Sequence, residues 1–248
     1  MNKLKSAGFC FFVFAFYYLL AFFVCLSGAT GLSATIITNM LFSVVAFVYY
    51  KFCINRQTDN DVSTPALVVF VVLLAVIWFF SQVTATAVYN IFSDPAYDTY
   101  HSVTSSDSVL YVILTLVIAP VTEELFLRGI IYNRLRNAFG GITAYAVSAL
   151  LFALMHGTLV HLFLGISTGL FFAFIYTYTG KLRYSIAYHS LFNAMSIVFT
   201  NVSAPDTLYS PVVFVSADFI ILWVIVMLAK TEEAERRSPL CLDLRHSI

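Results

Sequence analysis

Glu123 and Glu124 stand side by side in an apolar stretch, and Arg128 follows Glu124 by four residues. A charge at the centre of a membrane helix costs roughly 2.5–3.5 kcal/mol on insertion scales, so such residues are functional candidates by default. Glu124 and Arg128 share one helix face, where a simple ion pair would neutralise both. Glu123 is turned about 100° from Glu124 and about 140° from Arg128, so it faces something else. Two further polar sets lie in apolar runs. His156 closes the stretch from Phe152, one turn earlier on the same face. His189 and Asn193 also lie one turn apart and direct an imidazole and a carboxamide toward one point. The bland readings are a packed histidine at a helix end and a pair of interhelical hydrogen bonds. Three such sets on three segments favour a shared site, because a hydrogen-bonded cluster without function is a costly way to join helices.

The other reactive side chains read as background. His161 follows His156 by five residues, a poor spacing for shared ligation on a helix. His101 and His246 fall in a polar loop and a polar tail, and Tyr132 and Asn133 read as interfacial. Cys10, Cys25, Cys53 and Cys241 form no CxxC pair and read as small buried hydrophobes rather than disulfides or metal ligands. Asn201-Val202-Ser203 is a formal glycosylation sequon.

The elements that must position these residues follow from composition. Of the 248 residues, 60% are hydrophobic and only 10% charged, too little charge to cover a water-facing domain. The net charge of zero gives no reason to expect nucleic acid. Apolar runs long enough to approach a bilayer's roughly 20-residue requirement occur near 8–28, 33–53, 66–91, 109–133, 142–157, 162–179, 184–200 and 211–229. Backbone polar groups cannot go unpaired in hydrocarbon, so these runs read as helices. The chain is therefore expected to be all-α and polytopic, with about eight transmembrane helices.

Basic residues fall before the first run and after the second, fourth, sixth and eighth, while the other connections hold no Lys or Arg. The positive-inside rule then puts both termini in the cytoplasm. A cleaved signal at residues 1–29 is an alternative reading of the first run. Pro120 lies just before the glutamates and is expected to kink that helix by freeing a carbonyl one turn earlier. Residues 1–108 read as N-terminal transmembrane helices, 109–200 as the core, and 201–248 as a last helix and polar tail.

The run Glu123-Glu124-Leu125-Phe126-Leu127-Arg128 resembles the EExxxR signature of the CAAX-protease and bacteriocin-processing (CPBP, or Abi) family. Phe152 to His156 is similar to its FxxxH motif, and His189 to Asn193 to its HxxxN motif. The resemblance implies an intramembrane endopeptidase in a bacterial plasma membrane, acting on a peptide or membrane-protein substrate. It implies that Glu123 and His156 activate a water, that His189 and Asn193 bind the oxyanion, and that Glu124 and Arg128 support them. A metal-free, glutamate-based reaction is preferred; the alternative is zinc held by Glu123, His156 and His189. Another alternative is a non-proteolytic membrane partner, such as an immunity protein or a sensor-kinase regulator. His161 stands where the resemblance does not lead one to expect a reactive side chain. Counted along straight helices, Glu123, His156 and His189 do not reach one depth.

Overall fold

The computed structural model describes residues 3–54, 62–104 and 109–199, with side chains from residue 100 to residue 104 excepted. The expected eighth helix, Cys241, His246, the sequon and the polar tail lie outside the described residues. Those residues form α1 (Lys3–Leu26), α2 (Gly31–Cys53), α3 (Thr64–Phe92), α4 (Pro95–Thr104), α5 (Val109–Phe139), α6 (Gly141–Met155), α7 (Leu159–Thr179) and α8 (Leu182–Val198). No strand occurs among them. Five helices, α1, α2, α3, α5 and α7, are long and apolar enough to cross a membrane.

Burial identifies the centre of the bundle. In α7, 67% of the most apolar window is buried, against 17–33% in the other four long helices. Helices α3, α6 and α8 pack around α7, while α1 and α2 pack on each other and on α5. The outer faces of α1, α2 and α3 expose Phe, Val and Leu, as lipid-facing surfaces do. Cys25 and Cys53 lie on such exposed faces, contrary to the expectation of burial, whereas Cys10 is buried.

The α6–α7 contact depends on missing side chains. A Cβ on Gly165 would stand 2.6 Å from the Ala153 Cα, and one on Gly169 3.0 Å from the Ala149 Cα. The two backbones thus approach through small residues four apart, the common solution for helix pairs in lipid. The turn before α6 is equally tight. Gly140 alone separates α5 from α6, and its φ of 93° is a conformation that L side chains rarely adopt.

Helix α5 is not a uniform α-helix. It runs as π-helix over Leu114–Ile118 and again over Leu125–Tyr132, with the two glutamates on the α-helical stretch between. Wider π turns lower the rise per residue and rotate the side chains, which is why depths counted along straight helices mislead. The second π segment also explains why Tyr132 and Asn133 are buried rather than interfacial, at 0% and 3% exposure. The Asn133 Nδ2 donates to the Arg128 and Gly129 carbonyls and to the Tyr176 hydroxyl. Tyr132 packs edge-on against Tyr145 and Tyr176 and accepts a hydrogen bond from Thr177.

Helix α4 was expected to be part of a polar connection. Its sequence signal is Asp94-Pro95, an N-cap side chain followed by the residue best suited to a first helical position. Asp94 Oδ1 accepts from Ala96 N and Tyr97 N, and Oδ2 accepts from Leu159 N and Val160 N at the start of α7. One carboxylate therefore caps two helices.

Gly165→Ala is expected to force α6 and α7 apart, at a cost of about 1–3 kcal/mol typical of overpacking. A thermal melt of the purified protein in detergent should show a lower midpoint. An unchanged midpoint would contradict the close approach.

Candidate functional site

The site is built outward from Glu124, which is fully buried. Its Oε1 accepts from Arg128 Nη1 at 2.9 Å and from His189 Nδ1 at 3.1 Å, and its Oε2 accepts from Ser185 Oγ at 2.5 Å. The simple ion pair expected between Glu124 and Arg128 exists, and two donors from α8 extend it. Arg128 is fully buried as well. Its Nη2 donates to the Gly169 carbonyl of α7, and its guanidinium lies 5.2 Å from the Phe152 ring centre and 5.7 Å from that of Phe172. Charge pairing, a carbonyl and two aromatic faces together make an arginine tolerable in this interior.

The same side chains hold His189. Its ring stacks on Phe172 at 4.6 Å with an interplanar angle of 16°, and Phe152 approaches it edge-on at 5.4 Å. With Nδ1 committed to Glu124, its Nε2 points toward Glu123 Oε2, 3.8 Å away. Glu123 is the less enclosed carboxylate, with a side chain 14% exposed, and its Oε2 has no hydrogen-bond partner. The two glutamates thus face one imidazole from opposite edges, and only one of them is neutralised by an arginine.

His156 ends α6. Its Nδ1 lies 2.9 Å from the Phe152 carbonyl. A carbonyl oxygen only accepts, so Nδ1 carries the proton, and in the neutral ring Nε2 keeps a lone pair. The ring is held between Phe152, at 5.1 Å, and His161, stacked at 5.3 Å with an angle of 25°. His161 Nδ1 is hydrogen-bonded to Thr158 Oγ1 at 2.8 Å, and its ring lies 5.3 Å from that of Tyr97. The unexpected histidine therefore forms the wall behind His156. Asn193 Nδ2 donates to the Thr115 carbonyl at 2.8 Å, which leaves one N–H and Oδ1 for other partners.

That carbonyl is a product of Pro120. Ala119 N–H reaches back five residues to Leu114, and Pro120 has no N–H to give Thr115. The freed carbonyl expected from the sequence is thus Thr115's, and it anchors Asn193. Glu123, Glu124 and His189 come together in direct contact, and Arg128 joins them through Glu124. Phe152 links His156 to His189 without a direct bond between the histidines. Sequence reading missed Ser185, although Ser185, His189 and Asn193 recur at four-residue steps on one face of α8. Among the described residues, no three His, Cys, Asp or Glu side chains lie close enough to hold one metal ion. The trio Glu123, His156 and His189 does not fit a zinc site as arranged.

Residues 105–195 match the family described as type II CAAX prenyl endopeptidase Rce1-like. This stretch resembles an Rce1-like domain. It contains every candidate site residue named from the sequence. Two bacterial proteins are similar to the chain over 36% of its length. One, named "Putative membrane peptidase YdiL", from Bacillus subtilis, is 29% identical over 89 residues. The other, named "Membrane-embedded CAAX protease MroQ", from Staphylococcus aureus, is 30% identical over 96 residues. The chain covers 36% and 39% of the lengths of these relatives. No solved structure matches it. With five helices able to span a bilayer and these relatives, the protein is an integral membrane protein.

Asp94 steadies the wall behind His156, because it caps α7 beside Thr158 and His161. Burial works to raise its carboxyl, and the four backbone N–H donors outweigh burial and hold it below the ordinary value. A carboxyl lowered in the folded state contributes stability above its unfolded value, near about 3.9, and loses it as pH falls through the folded value. Asp94→Asn should therefore lower the melting midpoint more at pH 7 than near pH 3. Equal losses at both would show that the charge of Asp94 does not matter.

Proposed function

We propose that the protein is an intramembrane endopeptidase that hydrolyses a peptide bond of a membrane-associated peptide or protein, by a glutamate-based reaction without a metal. The observation that carries this reading is the asymmetry of the two glutamates. Arg128, Ser185 and His189 satisfy Glu124, whereas Glu123 keeps an unpartnered oxygen beside His189. A saturated carboxylate cannot act as a base. An unsaturated one can.

In the reaction, Glu123 Oε2 takes a proton from water, and the water oxygen bonds to the carbon of the scissile carbonyl. His156 presents its Nε2 lone pair to the same water. Such general bases contribute typically 10²–10⁴-fold. The carbonyl oxygen becomes an oxyanion, which accepts from the free N–H of Asn193 and from His189 Nε2–H. Because His189 Nδ1 already donates to Glu124, its ring must carry both protons for Nε2 to donate, with its charge between two carboxylates. The C–N bond then breaks, and the proton held by Glu123 passes to the leaving nitrogen to give a carboxylic acid and an amine. Arg128 never touches the substrate; it holds Glu124, and Glu124 holds His189. A bacterial relative is named as a CAAX protease, and the substrate class that best fits a bacterial membrane enzyme is a leader, pheromone or other membrane peptide.

Glu123→Gln and His156→Ala should each abolish product formation in the host while the protein remains inserted. A biological phenotype that survives both substitutions would favour the non-proteolytic partner. Asn193→Ala should lower kcat by about 10²–10³ with little change in KM, because an oxyanion donor acts mainly in the transition state.

Metal content is a separate test. Purified active protein is expected to hold no stoichiometric zinc and to keep turnover when treated with a chelator that reaches the site. One equivalent of zinc whose removal stops cleavage, and whose return restores it, would overturn the metal-free reaction.

A further inference from the structure

Charge is divided between the two ends of the bundle. Lys3 and Lys5 open α1, Lys51 lies in the last turn of α2, Arg134 and Arg136 end α5, and Lys181 and Arg183 flank the start of α8. Contacts hold these termini side by side. Lys3 Nζ lies 5.9 Å from the Phe139 ring centre, the Arg134 guanidinium lies 4.9 Å from that of Phe9, and Phe9 stacks on Tyr49 at 5.2 Å. A Cβ on Gly129 would stand 3.2 Å from Tyr50 and 3.7 Å from Leu182, which brings the start of α8 to the same end. The opposite end carries Asp94 and Asp98 and, among the described residues, no Lys or Arg. There Asp94 Oδ2 joins the start of α4 to Leu159 N and Val160 N of α7, and the Tyr97 ring meets that of His161 at 5.3 Å.

The site sits toward the acidic end. His156 is the C-cap of α6 there, and Asn193 lies in the second half of α8, which runs the same way. His156 and His161 are both half-buried. The interior toward the basic end is packed shut. Tyr132 meets Tyr145 at 5.4 Å and Tyr176 at 5.8 Å, and these rings fill the space between Arg128 and that end. Asn133 and Thr177 tie the hydroxyls of Tyr176 and Tyr132. The buried residues of α8, Leu182, Ser185, Tyr188 and His189, all lie in its first half, next to the basic end. A peptide backbone needs polar partners along any path through hydrocarbon, and a sealed tyrosine layer offers it none to spare.

We propose that substrate enters the site from the acidic end, that this end faces away from the cytoplasm, and that the bond cut lies in the outward-facing segment of a membrane-anchored or exported peptide. Lys and Arg are retained on the cytoplasmic side of membrane proteins, which assigns the basic end to the cytoplasm. The tail of a cytoplasmic protein would meet the tyrosine layer before it met Glu123. A peptide anchored in the bilayer, or delivered across it, presents its outer residues at the level of His156 and Asn193. The substrate class rests on the proteolytic reading of Glu123; the side of entry does not.

The test uses the full-length protein in host membranes, with Cys10, Cys25, Cys53 and Cys241 replaced by alanine and single cysteines introduced. Ala96→Cys and Asn137→Cys mark exposed positions at the acidic and basic ends. His156→Cys and Asn193→Cys mark the site, and two variants keep the result readable if one fails to fold. The probe is a small, charged, membrane-impermeant thiol reagent, applied to intact cells and to inverted vesicles. Positions 96, 156 and 193 are expected to label in intact cells, and position 137 only in inverted vesicles. Labelling of position 137 in intact cells overturns the orientation. Protection of both site cysteines in intact cells, with position 96 labelled, overturns entry from the acidic end. A second arm compares membrane and medium peptides of cells carrying wild type or Glu123→Gln by mass spectrometry. Cuts that depend on Glu123 are expected in outward-facing segments, and cuts confined to cytoplasmic segments overturn the substrate class. No difference between the two strains overturns the protease reading and leaves the side of entry, read by labelling, standing.

Discussion

One buried carboxylate organises the interior. Glu124 receives an arginine of its own helix and a serine and a histidine of α8. Through Arg128 it also reaches the Gly169 carbonyl of α7. Taking an ion pair out of water is expensive, and only a nearly complete set of hydrogen bonds offsets it. The set spans three helices, so their relative positions are fixed wherever Glu124 is charged. Removing either partner would leave an uncompensated charge in an apolar interior, which is costlier than losing one bond. The close α6–α7 approach serves the same centre, because Phe152 of α6 and Phe172 of α7 both lie within cation–π distance of the guanidinium.

The irregularity of α5 is the second constraint. Had Thr115 kept an ordinary helical bond, one lone pair of its carbonyl would be engaged within α5, and Asn193 would have to share the acceptor. Proline and the π turn free that group at the depth where a carboxamide is needed. Non-helical backbone groups at membrane depth persist only where neighbouring protein satisfies them. Here the satisfying group belongs to the site itself, so the backbone defect and the position of Asn193 are one feature.

Much of this was legible in the chain. Length and apolarity mark the helices, and charge inside apolar runs marks Glu123, Glu124 and Arg128, because lipid tolerates few such residues without a use. The face-sharing of His189 with Asn193 and of Phe152 with His156 survives into the structure as expected from helical spacing. Proline chemistry marks the freed carbonyl, but not its partner, since that depends on how α8 packs. The π segments left no signal in composition or periodicity. Tyr132 and Asn133 were misplaced for that reason: a polar pair at the end of an apolar run looks interfacial unless the carbonyls it satisfies are known. Asp94-Pro95 carries a readable helix-start signal inside a connection that is otherwise polar.

The two histidines show why residue type alone does not assign a role. Both have Nδ1 tied inward, so both present Nε2 outward. His156 is tied to a carbonyl, which can only accept, and its neutral ring therefore offers a lone pair. His189 is tied to a carboxylate, and its outward nitrogen points at a second carboxylate. A ring so placed donates from both nitrogens when it carries two protons. In the proposed reaction the first histidine suits the water and the second suits the oxyanion, although their side chains are identical. The partner of the inner nitrogen makes the difference, and that partner is set by where each helix ends: His156 caps α6 over its own last turn, whereas His189 lies mid-helix against Glu124.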